Sequence, residues 1–464
     1  MIRLLALVSY VYQSAAAIIL IFAISHVLPP ADYTSFSLVL ASSQLLSVLM
    51  FEWLQLAGLR FLAAAKGEDA AGLRWSLFAA GLLSSLALVL VGGAASLTST
   101  LAPRIVVLGL AVAALQGIVD MYFMMIRLSD RLGTAALLLI LRASLLLAGA
   151  VCGAGLYKTS EATLLGIVFG HAAALVAGLI MHRTPVRKVS RQRMLADWAN
   201  FCRYGMLAAG ASVIHLSVPV MIRFIVISRL GAAGPASAGF SMAIDLLQRP
   251  FWVLNAAIHT VSYPEVVAHF EHGTDAEAKK STARLFDFMI CATAVMLGGL
   301  IGFLPDAGRI FVPRGILESF LAVAPAVTLF YFLHTHLQAT LAVIPHLQKS
   351  ATRLVIVASC QFLMVSAFST IAVAAGLSPT GVIAVASIAT AIVILGASGP
   401  IIRFGAIPRW SLATAAAVAA VLIGSLSAAP SEPLIWLLGK IALAAMATAL
   451  IAWQGDFLML ARRG

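Results

Sequence analysis

The sequence predicts an all-α, polytopic integral membrane protein of about fourteen transmembrane helices, built as two six-helix lobes plus two extra C-terminal helices. Three observations predict it. The chain is 62% hydrophobic and only 10% charged, far from the balance of a water-soluble domain. Its apolar residues fall into runs near the length of about 20 that crosses a bilayer core. Its basic residues alternate, with 21 of the 30 Lys and Arg placed at the termini or in every second connector. Short loops rich in Lys and Arg stay on the cytoplasmic side of a membrane, which accounts for that alternation.

The runs follow one another with short connectors. The first, 7–28, is too long for the apolar region of a signal peptide. It lacks a small-x-small cleavage site before Asp32, so it reads as a retained helix. Runs 36–59 and 75–97 flank a connector holding Arg60, Lys66 and Arg74. Runs 105–126 and 134–157 flank Arg127 and Arg131, and 162–181 closes a first lobe spanning 1–181. The connector 182–198 carries Arg183, Arg187, Lys188, Arg191 and Arg193 and reads as a basic cytoplasmic linker. A second lobe, 199–398, holds runs 205–227, 239–261, 285–304, 318–341, 353–375 and 379–398. The stretch 399–464 holds the extra pair, 410–427 and 433–453. In lipid a backbone must satisfy its own polar groups, so each run is expected to be a helix.

The charge count orients the chain. With the N-terminus in the cytoplasm, 21 basic residues lie on the cytoplasmic side, Arg3, Arg462 and Arg463 among them. Five lie outside: Arg104, Lys158, Arg229, Arg309 and Arg314. Both termini are therefore expected in the cytoplasm, and the chain in a bacterial inner membrane. The net charge of +12 is explained by topology and calls for no nucleic acid. All outer connectors are short, which leaves no room for a soluble catalytic domain. Cys152, Cys202, Cys291 and Cys360 match neither a metal site nor a disulfide framework and are expected to pack. No cofactor or metal is expected.

The two halves repeat faintly. Ile24-Ser25-His26-Val27-Leu28 followed by Phe36-Ser37-Leu38 is echoed by Ile227-Ser228-Arg229-Leu230 followed by Phe240-Ser241-Met242. An even number of helices per half gives both halves the same orientation, related by an axis along the membrane normal.

The stretch Gly231 to Glu265 reads GAAGPASAGFSMAIDLLQRPFWVLNAAIHTVSYPE. With Gly239-Phe240-Ser241 opening the eighth span and Tyr263-Pro264-Glu265 closing it, the stretch resembles the polysaccharide-transporter (oligosaccharide flippase) branch of the multidrug/oligosaccharidyl-lipid/polysaccharide exporter superfamily. Leu28-Pro29-Pro30-Ala31-Asp32-Tyr33 with Phe36 resembles the first connector of that branch, and Arg60-Phe61 its exit from the second helix. The resemblance covers twelve helices, and the last two are similar to a pair found in many members. It usually brings an Asp-Arg pair on the seventh helix; here Ile222-Arg223 lacks the acid.

Charges inside spans are costly and mark cavities or partners. At about 1.5 Å rise per residue, Glu52, Asp120 and Arg142 lie roughly 9–12 Å from the cytoplasmic ends of their helices, a shared level at which they could pair. Arg223, Asp245, Arg249 and Lys440 lie in the outer half, and Asp245 and Arg249 stand one turn apart. Arg142, Arg249 and Arg223 are candidates to line a cationic cleft between the lobes, because Arg grips a diphosphate bidentately. Internal ion pairs and snorkelling are the structural alternative, and Lys440 is expected to snorkel. Tyr10, Tyr12 and Gln13 give the first helix a polar face that could touch sugar. Glu52, Asp120, Asp245, His215, His334, His336 and Lys440 are candidates for coupling or charge pairing, and His171 is a further mid-membrane histidine. Pro219, Pro250 and Pro325 fall inside spans, where they allow bending.

The resemblance implies a flippase or exporter that moves lipid-linked oligosaccharide of the polyprenyl-diphosphate type, for exopolysaccharide, capsule or O-antigen synthesis, by alternating access. The lipid bilayer, a polysaccharide polymerase and its chain-length machinery are the partners it implies. A cation-coupled multidrug antiporter of the same superfamily is the alternative. It would need more buried carboxylate than four basic against three acidic residues supply. A membrane glycosyltransferase or polymerase is the remote alternative, and it would need a long outer loop. The chain is expected not to be an enzyme.

Overall fold

The computed structural model describes residues 2–96, 102–129, 131–429 and 434–457. Expectations placed on residues 97 and 433 and on Arg462 and Arg463 lie outside the described residues, as does the side chain of Arg3. Within them the chain is helical throughout, with no strand. Thirteen helices among the described residues are long and apolar enough to cross a membrane.

The order is α1 (Ile2–Val27), α2 (Pro30–Ala64), α3 (Gly67–Ser96), α4 (Pro103–Arg127), α5 (Leu132–Tyr157), α6 (Ser160–Met181), α7 (Arg191–Leu230), α8 (Pro235–His272) and α9 (Asp275–Gly302). A short α10 (Leu304–Phe311) leads to α11 (Arg314–Thr335), a π-turn (His336–Thr340) and α12 (Val343–Leu347). Then come α13 (Ala351–Ala374), α14 (Pro379–Ala397), α15 (Gly399–Phe404), α16 (Trp410–Ser425) and α17 (Leu434–Gln454). The turns between them are chemically marked. Pro30 and Pro103 open α2 and α4, where a missing N–H costs nothing. Thr274 and Glu277 cap α9 reciprocally. Asp32, at the start of α2, accepts the Ser160 N–H at 2.9 Å and so caps α6 from a distant part of the chain.

The chain divides into two compact units. The first comprises Met1–Phe224 with Gly231–Ser237, the second Ile225–Leu230 with Ala238–Gly464. In the first, α5 packs along α6 and α1, while α2 and α6 pack on α4. The α5–α6 contact is backbone on backbone: a Cβ built on Gly166 would strike the Gly149 carbonyl, and one on Gly153 the Ala162 carbonyl. Without a hydrophobic drive in lipid, small residues that bring helices this close supply the association. The basic connector folds back on α3. Arg187 N donates to Ala71 O at 3.1 Å, Arg187 pairs with Glu68, and Arg193 pairs with Asp69 at 2.9 Å. The start of α7 continues this: Asp197 accepts from Ser76 Oγ at 2.6 Å and Phe201 joins a core of Leu54, Leu77, Met121 and Met125.

In the second unit α9 packs along α16, and α14 along α13 and α11. Gly298 and Gly302 let the α16 backbone lie directly on α9. Asp287 in α9 anchors the start of α16, accepting from Arg409 N at 2.8 Å and from Arg409 Nε at 2.7 Å.

Three details differ from the sequence reading. The helix that carries the eighth span continues past Tyr263-Pro264-Glu265; α8 runs through Pro250 and Pro264 to His272. Proline within a helix forfeits one hydrogen bond, which this long helix tolerates. The outer connector 305–317 is not plain loop, since α10 occupies most of it. Cys152 and Cys360 are exposed, so of the four cysteines only Cys291 is fully buried.

Candidate functional site

The helix that stands apart is α8. It lies where the eighth span is expected, yet it is not among the thirteen that qualify by apolarity. Asp245, Gln248, Arg249, Asn255 and His259 lie in its middle. Polar groups at membrane depth are expensive and mark functional sites, so α8 is the prime candidate element of the second unit. Asp245 and Arg249 are half-buried, one turn apart, and neither is without a partner.

Further along, Asn255, His259 and Tyr263 recur every fourth residue and form a stripe. The stripe begins six residues, or about 9 Å, beyond Arg249 along the helix axis. The stripe lines a cavity of about 260 Å³, together with Gln338, His346 and two alanines from the π-turn and α12. Opposite, the regular helix of α11 is broken, and α12, which contains Pro345, follows the break. The chain answers with an i to i+5 bond, Leu341 N to His336 O at 3.0 Å. Such π-turns recur at functional sites.

In the first unit the charged centre is Arg142 on α5. It is 8% exposed, and Nη1 donates to Asp120 on α4 in an ion pair. His171 on α6 is itself buried. The pairing of Asp120 with Arg142 follows from their shared depth. Glu52 is half-buried on α2 and is not part of that ion pair. Arg223 is buried and reaches α2, donating from Nη1 to Ser37 O at 2.9 Å and to Ser37 Oγ at 2.7 Å. Tyr12 shares a 2.7 Å hydrogen bond with Ser144 on α5, and Tyr10 accepts from Arg127 at 3.4 Å. Both tyrosines remain exposed, with Gln13 half-buried beside them.

The histidines are held in place. Gln361 Nε2 donates to His334 Nδ1 at 2.8 Å, and the ring stacks on Phe330. His336 is hydrogen-bonded to Thr293 at 2.9 Å and Thr340 at 2.8 Å. His215 is buried in α7 and is not without a partner. Lys440 does not snorkel. It is 3% exposed, and its ammonium donates to Asp306 of α10 at 3.1 Å. Snorkelling needs a reachable interface, whereas α10 folds a carboxylate back onto Lys440.

Sequence reasoning missed Asp287, Asp306 and the α8 stripe. By hydropathy Asp306 falls in the connector between two spans. The stripe carries a signal, polar residues at i, i+4 and i+8, which assigning Tyr263 to the helix exit obscured.

The chain matches no protein-family model and no curated protein. Solved structures do match. A lipid II flippase, MurJ, in an inward closed conformation superposes with TM-score 0.75 at 12% identity, covering 98% of this chain and 100% of the flippase. An inward-facing multidrug-resistance MATE transporter of the MOP superfamily gives TM-score 0.65 at 14% identity over 86% of this chain and 98% of its own. A MOP-superfamily transporter from Pyrococcus furiosus gives 0.55 at 14% identity over 86% and 94%. The chain therefore has the fold of the MOP-superfamily membrane transporters, a class that holds flippases and multidrug exporters alike. Within that class the fold extends over the whole length of the MurJ flippase.

Proposed function

We propose that this protein is a flippase that exports lipid-linked oligosaccharide of the polyprenyl-diphosphate type across a bacterial inner membrane by alternating access. The observation that carries the reading is the flippase fold over 98% of the chain. Cover that high leaves no room to omit α16 and α17, whereas the multidrug transporter covers 86%. The interior charges support the same substrate class. Arg142, Arg223 and Arg249 are guanidinium groups at membrane depth, and guanidinium matches a diphosphate in charge and in its paired donors. Tyr10, Tyr12 and Gln13 offer hydrogen bonds for sugar. The excess of Lys and Arg in alternate connectors favours cytoplasmic termini, the orientation an exporter of this kind would take. A polymerase with chain-length machinery is the partner that would take the exported unit onward.

A cation-coupled multidrug antiporter is the second reading, favoured by the half-buried carboxylate of Glu52. Cells from which the gene is deleted separate the two. The flippase reading predicts that diphosphate-linked saccharide accumulates in their lipid extracts, polymer disappears from the surface, and tolerance of organic cations is unchanged. Normal polymer with heightened sensitivity to organic cations would establish the antiporter instead.

A further inference from the structure

We infer that the cavity between the second half of α8 and the π-turn is a subsite for a single uncharged sugar ring. Its polar lining consists of Asn255, His259, Tyr263, Gln338 and His346. No Lys or Arg lines it, so it lacks the fixed charge that an anionic phosphate would need. No Asp or Glu lines it either, so it lacks the counter-charge for a cation. An apolar tail is excluded by two atoms. Asn255 Oδ1 and His259 Nε2 are buried and find no hydrogen-bond partner in the protein. Buried polar groups are almost always satisfied, and leaving them dry at membrane depth costs free energy. The lining is therefore built for a guest that both donates and accepts hydrogen bonds while carrying no charge.

A sugar hydroxyl does both. The carboxamides of Asn255 and Gln338 can each give and receive a hydrogen bond, and so can the Tyr263 hydroxyl and a neutral imidazole. The Tyr263 ring stands 5.4 Å from that of His259 and offers an aromatic face beside the polar groups. The volume, about 260 Å³, lies below the roughly 300–1,000 Å³ of drug-sized sites and suits one ring rather than a chain. Beneath the pocket, Ile258, Val266, Phe286, Val343 and Ile344 form a close-packed core that fixes both walls. Neither Asp245 nor Arg249 lines the cavity, which lies farther along α8, so the subsite is separate from the charged set. The inference rests on the flippase reading for its biological substrate, because the ring it would hold is part of the exported saccharide.

The test is ligand-observed saturation-transfer NMR on the purified full-length protein, in a detergent without a sugar head. The probes are free glucose, galactose and N-acetylglucosamine, each alone. The expected result is saturation of at least one sugar, with affinity falling about tenfold in Asn255→Leu and in Gln338→Leu, as loss of one buried hydrogen-bonding partner predicts. The two variants sit on opposite walls, so misfolding of one leaves the other to decide, and gel filtration identifies the folded protein. Saturation of no sugar, saturation unchanged in a folded variant, or displacement of the sugar by equimolar inorganic phosphate would overturn the subsite. Sugar binding in a protein that flips no lipid would overturn the flippase reading and keep the subsite. Flipping without sugar binding would do the reverse.

Discussion

Replacing Lys440 with methionine while Asp306 remains is expected to destabilise the second unit by about 3–5 kcal/mol, because it strands a buried carboxylate. The two side chains are 3% and 8% exposed and 3.1 Å apart, so solvent screens them little. Asp306→Ala should be similarly costly, since it strands the ammonium. The double variant Lys440→Met with Asp306→Asn should recover most of the loss, because a neutral pair leaves no buried charge. Heat challenge followed by fluorescence-detected gel filtration of the four proteins measures this. Equal melting of wild type and Lys440→Met would show that Lys440 reaches water and that the pair contributes little.

Export should be abolished in Arg142→Ala with the protein still present in the membrane. In the resting structure Arg142 is held by Asp120, so a diphosphate would bind by taking over part of that guanidinium. Arg142→Lys keeps the charge and loses the paired donors, and partial export is expected. The companion variant separates the two roles of the pair. If Asp120 and Arg142 only stabilise α4 against α5, the double alanine variant should restore both protein level and export. If Arg142 also meets substrate, the double variant should be stable and inactive, which is the expected result. Surface polymer and membrane protein level, measured in the same cells, report the two outcomes. Full export by the double variant would remove Arg142 from the transport path.

Much of the fold is legible in the sequence because a bilayer imposes one length and one polarity on every span. The helix missed by apolarity shows the limit of that rule. In α8, which holds the run 239–261, interior polar residues dilute the signal enough to leave it outside the thirteen. Pairing is legible where both partners are charged and lie at the same depth, as with Asp120 and Arg142. It is not legible for Arg223, whose acceptors are the carbonyl and hydroxyl of Ser37, groups that carry no distinguishing charge. Nor is it legible for Lys440, because its partner comes from a connector that folds inward, 134 residues away. The cavity beside α8 is walled by a π-turn, a backbone event that no count of hydrophobic residues records.

Reconstitution tests the central claim most directly. Purified protein is placed in liposomes with a polyprenyl diphosphate carrying a fluorescent disaccharide, and a membrane-impermeant quencher is added outside. A membrane potential is imposed in each sense, since it acts on the diphosphate with about 2.3 kcal/mol per charge per 100 mV. The wild-type protein is expected to bring the inner-leaflet fluorophore within reach of the quencher, and Arg142→Ala is not. A wild-type plateau equal to that of protein-free liposomes, under both senses of the potential, would contradict the flippase reading.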